Sequence, residues 1–267
     1  MKIIAFADVH YFAGDLESAI FNTKRKLVSY ALPMLDRITE KINNEYKPDL
    51  AVNLGDIIQD TTKHDEDLEA LSFMFERLKK INCPCYSLLG NHDLKMMDSV
   101  DEVEALLGYK TTHSFDLDGW HLVFLTTEVR PELGTERGGC YKAQYLSDKD
   151  LKWLKSDLKK NSLPTVVFTH YTLPEDETLS DECMLMKNRD KVKKILKTKG
   201  NVMAVFSGHR HITKTLEEDG IKHYLIGSPI ADYELKGYPD GVYMEIDLDK
   251  KDVKVTVHTI DYRELSV

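Results

Sequence analysis

The sequence predicts an α/β protein built from two mixed β-sheets that pack face to face, with helices on their outer sides. In the first half of the chain, short apolar runs alternate with amphipathic helical patterns. In the second half, several runs alternate apolar and polar residues, as antiparallel strands do. The 267-residue chain shows no repeat, low-complexity tract or linker-like stretch. The sequence therefore predicts one domain over residues 1–267.

The first half is predicted to run strand, helix, strand, helix, strand. The strands are the apolar runs KIIAFAD, PDLAVNLGD and CYSLLG. A first helix is predicted from about Lys24 to Asn44 and a second over DEDLEALSFMFERLKK, where apolar residues recur at three and four positions. This alternation favours parallel strands, and α/β sheets place their ligand sites at the carboxyl ends of such strands.

The second half opens with a predicted hairpin, HSFDLDGWHLVFLTT, which turns at Asp118 and Gly119. A helix is predicted to follow, capped by Ser147 with Asp150 three residues later. The apolar runs TVVFTH and VMAVFSG are predicted strands, and IKHYLIGS, VYMEIDL and VKVTVHTI show antiparallel-type alternation.

Composition and charge exclude several classes of function. A net charge of −9 opposes nucleic-acid binding, because that binding depends on Lys and Arg neutralising phosphates. A nuclease is disfavoured for the same reason. No apolar run approaches the roughly 20 residues that cross a membrane, and MKIIAFADVH becomes polar too soon for a signal peptide, so a cytoplasmic protein is expected. The four cysteines form no zinc or redox motif and are expected to be free thiols: Cys83, Cys85, Cys140 and Cys183.

Metal-ligand residue types follow five predicted strands. A single such residue at a strand end is usually a cap or a solvated loop residue, but five strand ends have no independent reason to share one ligand set. Asp and His together suit transition metals better than magnesium or calcium. They are too many for one ion, whereas two ions that share a carboxylate would use them all. The residues are Asp8, His10, Asp56, Asn91, His92, Asp93, His170, His209 and His211.

The motifs ADVH, LGDIIQD, LGNHD, FTH and SGHRH, in this order, resemble those of the calcineurin-like metallophosphoesterase family. The resemblance implies a four-layer α/β/β/α sandwich that hydrolyses phosphate esters at a dinuclear metal centre. The metals could be manganese, iron, zinc or nickel. By position, one metal would be held by Asp8, His10 and His211, the other by Asn91, His170 and His209, and Asp56 would bridge them.

The resemblance also assigns catalytic roles. The nucleophile would be a water or hydroxide that bridges the two ions. His92 would hydrogen-bond a phosphoryl oxygen or protonate the leaving group. Asp93 is expected to orient that imidazole and to favour its protonated form, and its alternative role is that of a loop-capping carboxylate.

Five further residues are candidates for substrate binding. Tyr11 follows the first motif, and Arg210 lies inside SGHRH, where an outward-facing side chain is the alternative. Arg130, Arg137 and Tyr141 belong to the glycine-bearing stretch EVRPELGTERGGCYKAQ, a kind of loop that often lines a site. Residues 171–188, which show no periodicity, are either a substrate lid or an oligomer contact, and the oligomeric state is not predicted.

Residues beside the motifs favour a branch of the family. Tyr11, IIQD and Asp93 stand where serine/threonine protein phosphatases have glycine, Asp-Arg-Gly and Glu. The pattern is closer to small bacterial and archaeal phosphodiesterases. The first helix is also similar to that of manganese-dependent ADP-ribose and CDP-alcohol diphosphatases, although these usually have Gln for His10 and Glu for Asp93. We therefore predict hydrolysis of small phosphodiesters or nucleotide-type substrates, with a diphosphatase, a phosphomonoesterase or a catalytically retired scaffold as alternatives.

Overall fold

The structure, a computed structural model, describes residues 1–14, 26–61, 63–130, 132, 143–175, 182–250 and 252–265. The strands are β1 (Lys2–Phe6), β2 (Leu50–Asn53), β3 (Cys85–Ser87), β4 (His113–Leu117), β5 (Trp120–Leu125), β6 (Thr165–Thr169), β7 (Val202–Ser207), β8 (Lys214–Glu218), β9 (Ile221–Leu225), β10 (Val242–Asp249) and β11 (Asp252–Thr259). The helices are α1 (Ala31–Lys41), α2 (His64–Leu78), α3 (Asn91–Leu94), α4 (Val100–Leu107), α5 (Asp148–Lys160) and α6 (Arg189–Lys197). Helix α1 continues as a π-helical turn, Ile42–Tyr46.

The strands form two mixed sheets, as predicted. One has the order β11-β10-β1-β2-β3 and the other the order β4-β5-β6-β7-β9-β8. Strands β1, β2 and β3 are parallel to one another, and so are β5, β6, β7 and β9. Each sheet therefore presents the carboxyl ends of neighbouring strands along one edge, which is where the polar motifs follow.

Apolar side chains fill the space between the sheets and the space between each sheet and its helices. Between the sheets, the rings of Phe124, Phe168 and Phe206 stack with centroid distances of 5.0 and 5.5 Å. Helices α1 and α2 pack on the outer face of the first sheet, and α5 and α6 on the outer face of the second. Full burial of a large apolar side chain contributes about 1.5–3 kcal/mol. The result is the predicted four-layer α/β/β/α arrangement.

The start of the first helix differs from the prediction. Residues 15–25, which include the predicted start Lys24, lie outside the described residues. Lys26 forms an isolated bridge with Ala231, and the Leu27 N–H donates to the Ile230 carbonyl at 3.1 Å, so the chain is extended there. Helix α1 begins at Ala31. Helical periodicity could not reveal that pairing, because its partner lies some 200 residues away in sequence.

Local signals elsewhere in the chain proved reliable. Asp118 and Gly119 both have positive φ angles, 49° and 80°, as the tight turn of a hairpin requires. The Ser147 hydroxyl accepts from the Asp150 N–H at 2.9 Å and caps α5. Strand β8 was not predicted, because its sequence KTLEE is polar, as suits the edge of a sheet. No helix in the described part of the chain is long and apolar enough to cross a membrane.

Candidate metal centre

The carboxyl ends of the parallel strands bring the predicted ligands together. Each of these residues lies just beyond a strand end, so the sheet hydrogen bonds fix where its backbone stands. Two of them follow β1, one follows β2, one follows β3, one follows β6 and two follow β7: Asp8, His10, Asp56, Asn91, His170, His209 and His211. Apart from the partly exposed His211, all of them are buried.

Two groups of ligand atoms form on either side of the site, and a third, made of His10, Asp56 and His92, shares one residue with each of them. Asp8, His10 and His211 make one group, and Asp56, His170 and His209 make the other, each with its atoms within 4.8 Å of one another. Asp56 Oδ2 lies 3.3 Å from His170 Nε2 and also 3.8 Å from His10 Nε2. The Asp56 carboxylate therefore reaches both groups, the position that a bridging ligand requires.

Unpaired buried atoms test whether a cation fits these groups. His170 Nδ1 donates to the Leu54 carbonyl at 2.8 Å, which leaves the lone pair on Nε2. That Nε2 is buried and, despite its proximity to Asp56, has no hydrogen-bond partner among the described residues, and the same is true of Asn91 Oδ1. Leaving a buried polar atom unpaired costs about 1–3 kcal/mol. A metal ion would satisfy both atoms, so the donor set fits the metals that the resemblance implies.

The backbone around these residues is unusual. Five of the seven predicted ligands have φ angles in the left-handed region, where residues other than glycine are uncommon. Such conformations cost of order 1–3 kcal/mol each and concentrate at functional sites. The residues and angles are Asp8 57°, His10 50°, Asp56 51°, His209 68° and His211 55°.

Glycines in the motifs let two loops approach each other closely. A Cβ atom on Gly90 would lie 2.1 Å from Asp56 Oδ1, which a side chain cannot tolerate. Gly55 has φ +99°, and a Cβ there would lie 2.9 Å from His170 Nδ1. The motifs therefore need glycine before Asp56 and before Asn91 because a side chain at Gly55 or Gly90 would not fit between the two loops.

Burial and charge favour the metal-binding protonation states of Asp56, His10 and His209, whereas His170 attracts a proton. Burial opposes ionisation of Asp56, but the attraction of His170 and His92 outweighs it and holds the pKa of Asp56 well below its usual range. Burial lowers the pKa values of His10 and His209, which keeps these imidazoles neutral. Burial also opposes the charged form of His170, but the attraction of Asp56 is stronger and raises its pKa to about 9. A metal ion at Nε2 would replace the proton that Asp56 attracts there.

Asp93 does not take the role predicted for it. It is fully buried, and its carboxylate accepts from the backbone N–H groups of Asp56, Ile57 and Gly90 at 2.7–3.0 Å, and from that of Ile58 at 3.2 Å. The prediction that Asp93 orients His92 is therefore wrong, and its alternative role as a loop-capping carboxylate is confirmed. Successive residues of a helical turn point about 100° apart, so neighbours in α3 face different surroundings.

Asp60 takes the place expected for Asp93. His92 Nδ1–H donates to the buried Asp60 carboxylate, which also accepts from Lys95 Nζ at 2.6 Å and from Gln59 Nε2 at 3.0 Å. The His92 ring lies 4.8 Å from that of His10. Burial and the nearby Lys26 lower the pKa of His92, and the attraction of Asp56 and Asp60 opposes this effect.

Lys26 is a further residue of the site that the sequence did not reveal. Its Nζ donates to Gln59 Oε1 at 2.8 Å and lies 3.4 Å from His10 Nδ1. Burial lowers its pKa. Gln59 and Asp60 stand inside the motif LGDIIQD, where an acidic residue four positions after Asp56 was a usable signal. No such signal marks Lys26, because its position depends on the bridge with Ala231.

The residues predicted to bind substrate have different outcomes. Tyr11 lies beside the ligands, bridged to Ile58. The Arg130 guanidinium forms an ion pair with Glu128 and lies over the Tyr145 ring at 4.5 Å, so its charge is already engaged. Arg210 lies in the turn between two ligands, and its carbonyl accepts from the Tyr233 hydroxyl at 2.9 Å. Arg137 and Tyr141 lie outside the described residues, as does Cys140.

Part of the 171–188 segment contacts His209, one of the predicted ligands. Tyr171 is buried, with its ring 4.4 Å from that of His209. His209 Nε2 donates to the Cys183 carbonyl at 3.1 Å, which leaves the lone pair on Nδ1 for the site. Residues 176–181 lie outside the described part, so the choice between a lid and an oligomer contact stays open. The thiols of Cys83 and Cys85 are free, as expected.

Fold and site together define a metal-dependent phosphoesterase with a dinuclear type of centre. The chain belongs to the calcineurin-like phosphoesterase family, whose pattern matches residues 1–213. It is 24% identical to a probable cyclic nucleotide phosphodiesterase of Coxiella burnetii, over 92% of this chain and 89% of that one. A probable cyclic nucleotide phosphodiesterase of Xenorhabdus bovienii is also 24% identical, over 79% and 78%. A dimetal phosphatase from Danio rerio has the same fold, with a TM-score of 0.74, 16% identity and coverage of 96% and 95%.

Proposed function

We propose that this chain is a phosphodiesterase that binds two metal ions and cleaves small phosphodiesters, including nucleotide-type substrates. The observation that carries the proposal is the pair of ligand groups that Asp56 joins, since it belongs to one group and lies 3.8 Å from His10 of the other. The described residues also leave the buried atoms His170 Nε2 and Asn91 Oδ1 unpaired. One ion would be held by Asp8, His10 and His211, the other by Asn91, His170 and His209, and Asp56 would contact both.

Bound metal ions would polarise a phosphoryl oxygen and lower the pKa of water toward neutrality. Attack by water forms a new P–O bond, releases one proton from that water and breaks the P–O bond to one alcohol, which leaves as an alkoxide and takes up a proton. We assign this proton donation to His92. Because Nδ1–H is held by Asp60, Nε2 is the free ring atom, and the protonated ring can donate from Nε2 to the leaving oxygen.

Asp60 has two effects in this step. It fixes the orientation of the imidazole, and its negative charge stabilises the imidazolium against the cost of burial. Hydrogen bonds from His92 and Lys95 outweigh the effect of burial and lower the pKa of Asp60, so the carboxylate is ionised. We therefore assign Asp60 as a positioning residue for His92.

The diester preference is supported by the names of the two relatives, both probable cyclic nucleotide phosphodiesterases, at 24% identity. A diester carries one negative charge and has two alcohols, one of which must find room beside the site.

The first experiment is hydrolysis of a substrate panel by the protein after metal removal and reloading with manganese, zinc or iron. The panel contains bis(4-nitrophenyl) phosphate, 4-nitrophenyl phosphate, cyclic AMP, ADP-ribose and CDP-choline.

The expected result is turnover of the diester or of cyclic AMP well above that of the monoester. Preference for ADP-ribose or CDP-choline would replace the phosphodiesterase by a diphosphatase, and preference for the monoester would make it a phosphomonoesterase. No turnover with two metal ions bound per chain would favour a scaffold protein.

A further inference from the structure

A cavity of about 450 Å³ lies between the loop after β1 and helix α2. One wall begins at Tyr11, the residue directly after His10, and the other wall is the exposed side of α2. Tyr11 thus connects the cavity, through the adjacent residue, to the predicted ligand His10. The lining residues are Tyr11, Ala13, Glu66, Glu69, Ala70 and Phe73.

Two aromatic rings form the apolar part of the cavity. The Tyr11 and Phe73 ring centroids are 5.2 Å apart, and 43% of Phe73 is exposed, whereas most large apolar residues in the described part are buried. The Tyr11 backbone is fixed on both sides, because its N–H donates to Ile57 and its carbonyl accepts from Gln59, at 2.9 and 2.8 Å. Tyr11 is therefore held rigidly against the loop that carries Asp56.

Among the described residues that line the cavity, the two charged ones are both acidic. Glu69 is exposed on α2, and Glu66 lies one turn earlier, where it forms an ion pair with the exposed Lys63 at 2.5 Å. Arg77 lies 5.7 Å from the Phe73 ring, but its Nε donates to Asp36 at 2.9 Å and its charge is thereby balanced. Carboxylates next to aromatic faces attract a cation and repel a second phosphate.

We propose that this cavity binds one alcohol of the substrate diester and selects an alcohol with a positive charge, such as a quaternary ammonium group. The proposal rests on the phosphodiesterase function proposed above, since it assigns the second alcohol of the same substrate. The phosphodiester would sit at the metal centre, and its cationic group would lie against Tyr11 and Phe73 with Glu69 close by.

The test compares two substrates of equal shape. In 4-nitrophenyl phosphocholine the second alcohol ends in a trimethylammonium group, and in 4-nitrophenyl 3,3-dimethylbutyl phosphate a neutral carbon replaces that nitrogen. We expect kcat/KM to favour the cation by about tenfold, the size of one exposed cation–aromatic contact aided by a carboxylate. In Glu69→Gln and in Phe73→Leu this ratio should fall toward one.

Two controls separate this effect from damage to the enzyme. Methyl 4-nitrophenyl phosphate has no group to fill the cavity, so its rate in each variant measures any general effect of the substitution, and the other rates are divided by it. Glu217→Gln removes one exposed negative charge from β8, at the edge of the other sheet, and should keep the tenfold ratio. Equal rates on the charged and neutral substrates would overturn the proposal, as would a ratio that Glu69→Gln and Phe73→Leu leave intact.

The two proposals fail in different ways. If no diester is hydrolysed, the phosphodiesterase function is wrong, and the cavity is then tested without turnover. Choline, but not 3,3-dimethylbutanol, should shift the NMR ring signals of Tyr11 and Phe73, and Glu69→Gln should weaken that shift. Cyclic AMP hydrolysis that depends on Phe73 but not on Glu69 would make the cavity a site for a neutral base and would overturn the selection of a cation.

Discussion

Buried histidines meet carboxylates in two regions of this protein, with opposite consequences. At the candidate metal centre, His170 Nε2 is left without a hydrogen-bond partner among the described residues, and five ligands have strained φ angles. In the second sheet, His121 is just as buried, but its Nδ1 lies 2.6 Å from Asp116 and its Nε2 2.8 Å from Asp157. The candidate metal centre leaves ligand atoms available to a cation, whereas both ring nitrogens of His121 lie at hydrogen-bond distance from carboxylates.

The difference teaches what separates a site from a structural contact when the residue types are the same. Asp116 lies on β4 and Asp157 on α5, so the His121 contacts join a strand to the helix that covers it. Such contacts stabilise the fold. At the metal centre, unpaired polar atoms and strained backbone destabilise the folded chain, and a bound cation would offset that loss of stability.

The largest effect should come from Asp56→Asn, which changes the shared carboxylate. We expect kcat/KM on bis(4-nitrophenyl) phosphate to fall by more than about 10³-fold, about 4 kcal/mol of transition-state stabilisation. The metal content per chain, measured by mass spectrometry, should fall with it. The matched change Asp116→Asn should leave turnover and metal content unaltered. Retention of two ions and full turnover by Asp56→Asn would remove the distinction between the two regions.

The next effect concerns His92, which donates to a carboxylate as His121 does but also lies next to the centre. His92→Ala should lower kcat by about 10²–10³-fold, within the range of general acid catalysis, while metal content stays constant. The control is His258→Ala on β11, the edge strand of the first sheet. Unaltered turnover in His92→Ala would show that its hydrogen bond to Asp60 is structural.

A smaller effect should distinguish Asp60 from Asp93. Asp60→Asn should lower kcat by about tenfold to 10²-fold, as loss of an orienting partner does, with little change in the free energy of unfolding. Asp93→Asn should instead lower the free energy of unfolding by about 1–3 kcal/mol, because an amide nitrogen would face backbone N–H donors. Kinetics and urea unfolding on the same samples measure both. The reverse pattern would restore Asp93 as the partner of His92.

The smallest effect is a pH dependence of stability at His121. Burial opposes its charged form, but Asp157 and Asp116 outweigh it and raise its pKa. A raised pKa in the folded state means that the stabilisation is fully present below the unfolded pKa of about 6.5 and is lost as pH rises through the folded value. His121→Gln should therefore cost about 1–2 kcal/mol at pH 6 and less at pH 9, with turnover unaffected. Equal costs at both pH values in urea unfolding would contradict this.

The sequence by itself determined the α/β class and the set of candidate ligands. Strands and helices have periods of two and 3.6 residues, so apolar spacing predicts them locally, and the turn at Asp118-Gly119 and the cap at Ser147 are local too. The ligands could be named because each follows a strand, and parallel strands end at one edge of a sheet. The motif glycines Gly55 and Gly90 belong to the same short stretches.

Only the tertiary structure decided which partner each site residue meets. His92 lies beside Asp93 in sequence yet donates to Asp60, because a helical turn points neighbours apart and the loop after β2 supplies the carboxylate. Lys26 enters the site through a bridge with Ala231, and Phe73 reaches Tyr11 from another element. Contacts between residues far apart in sequence depend on how sheets and helices pack, and no periodicity within one segment records that packing.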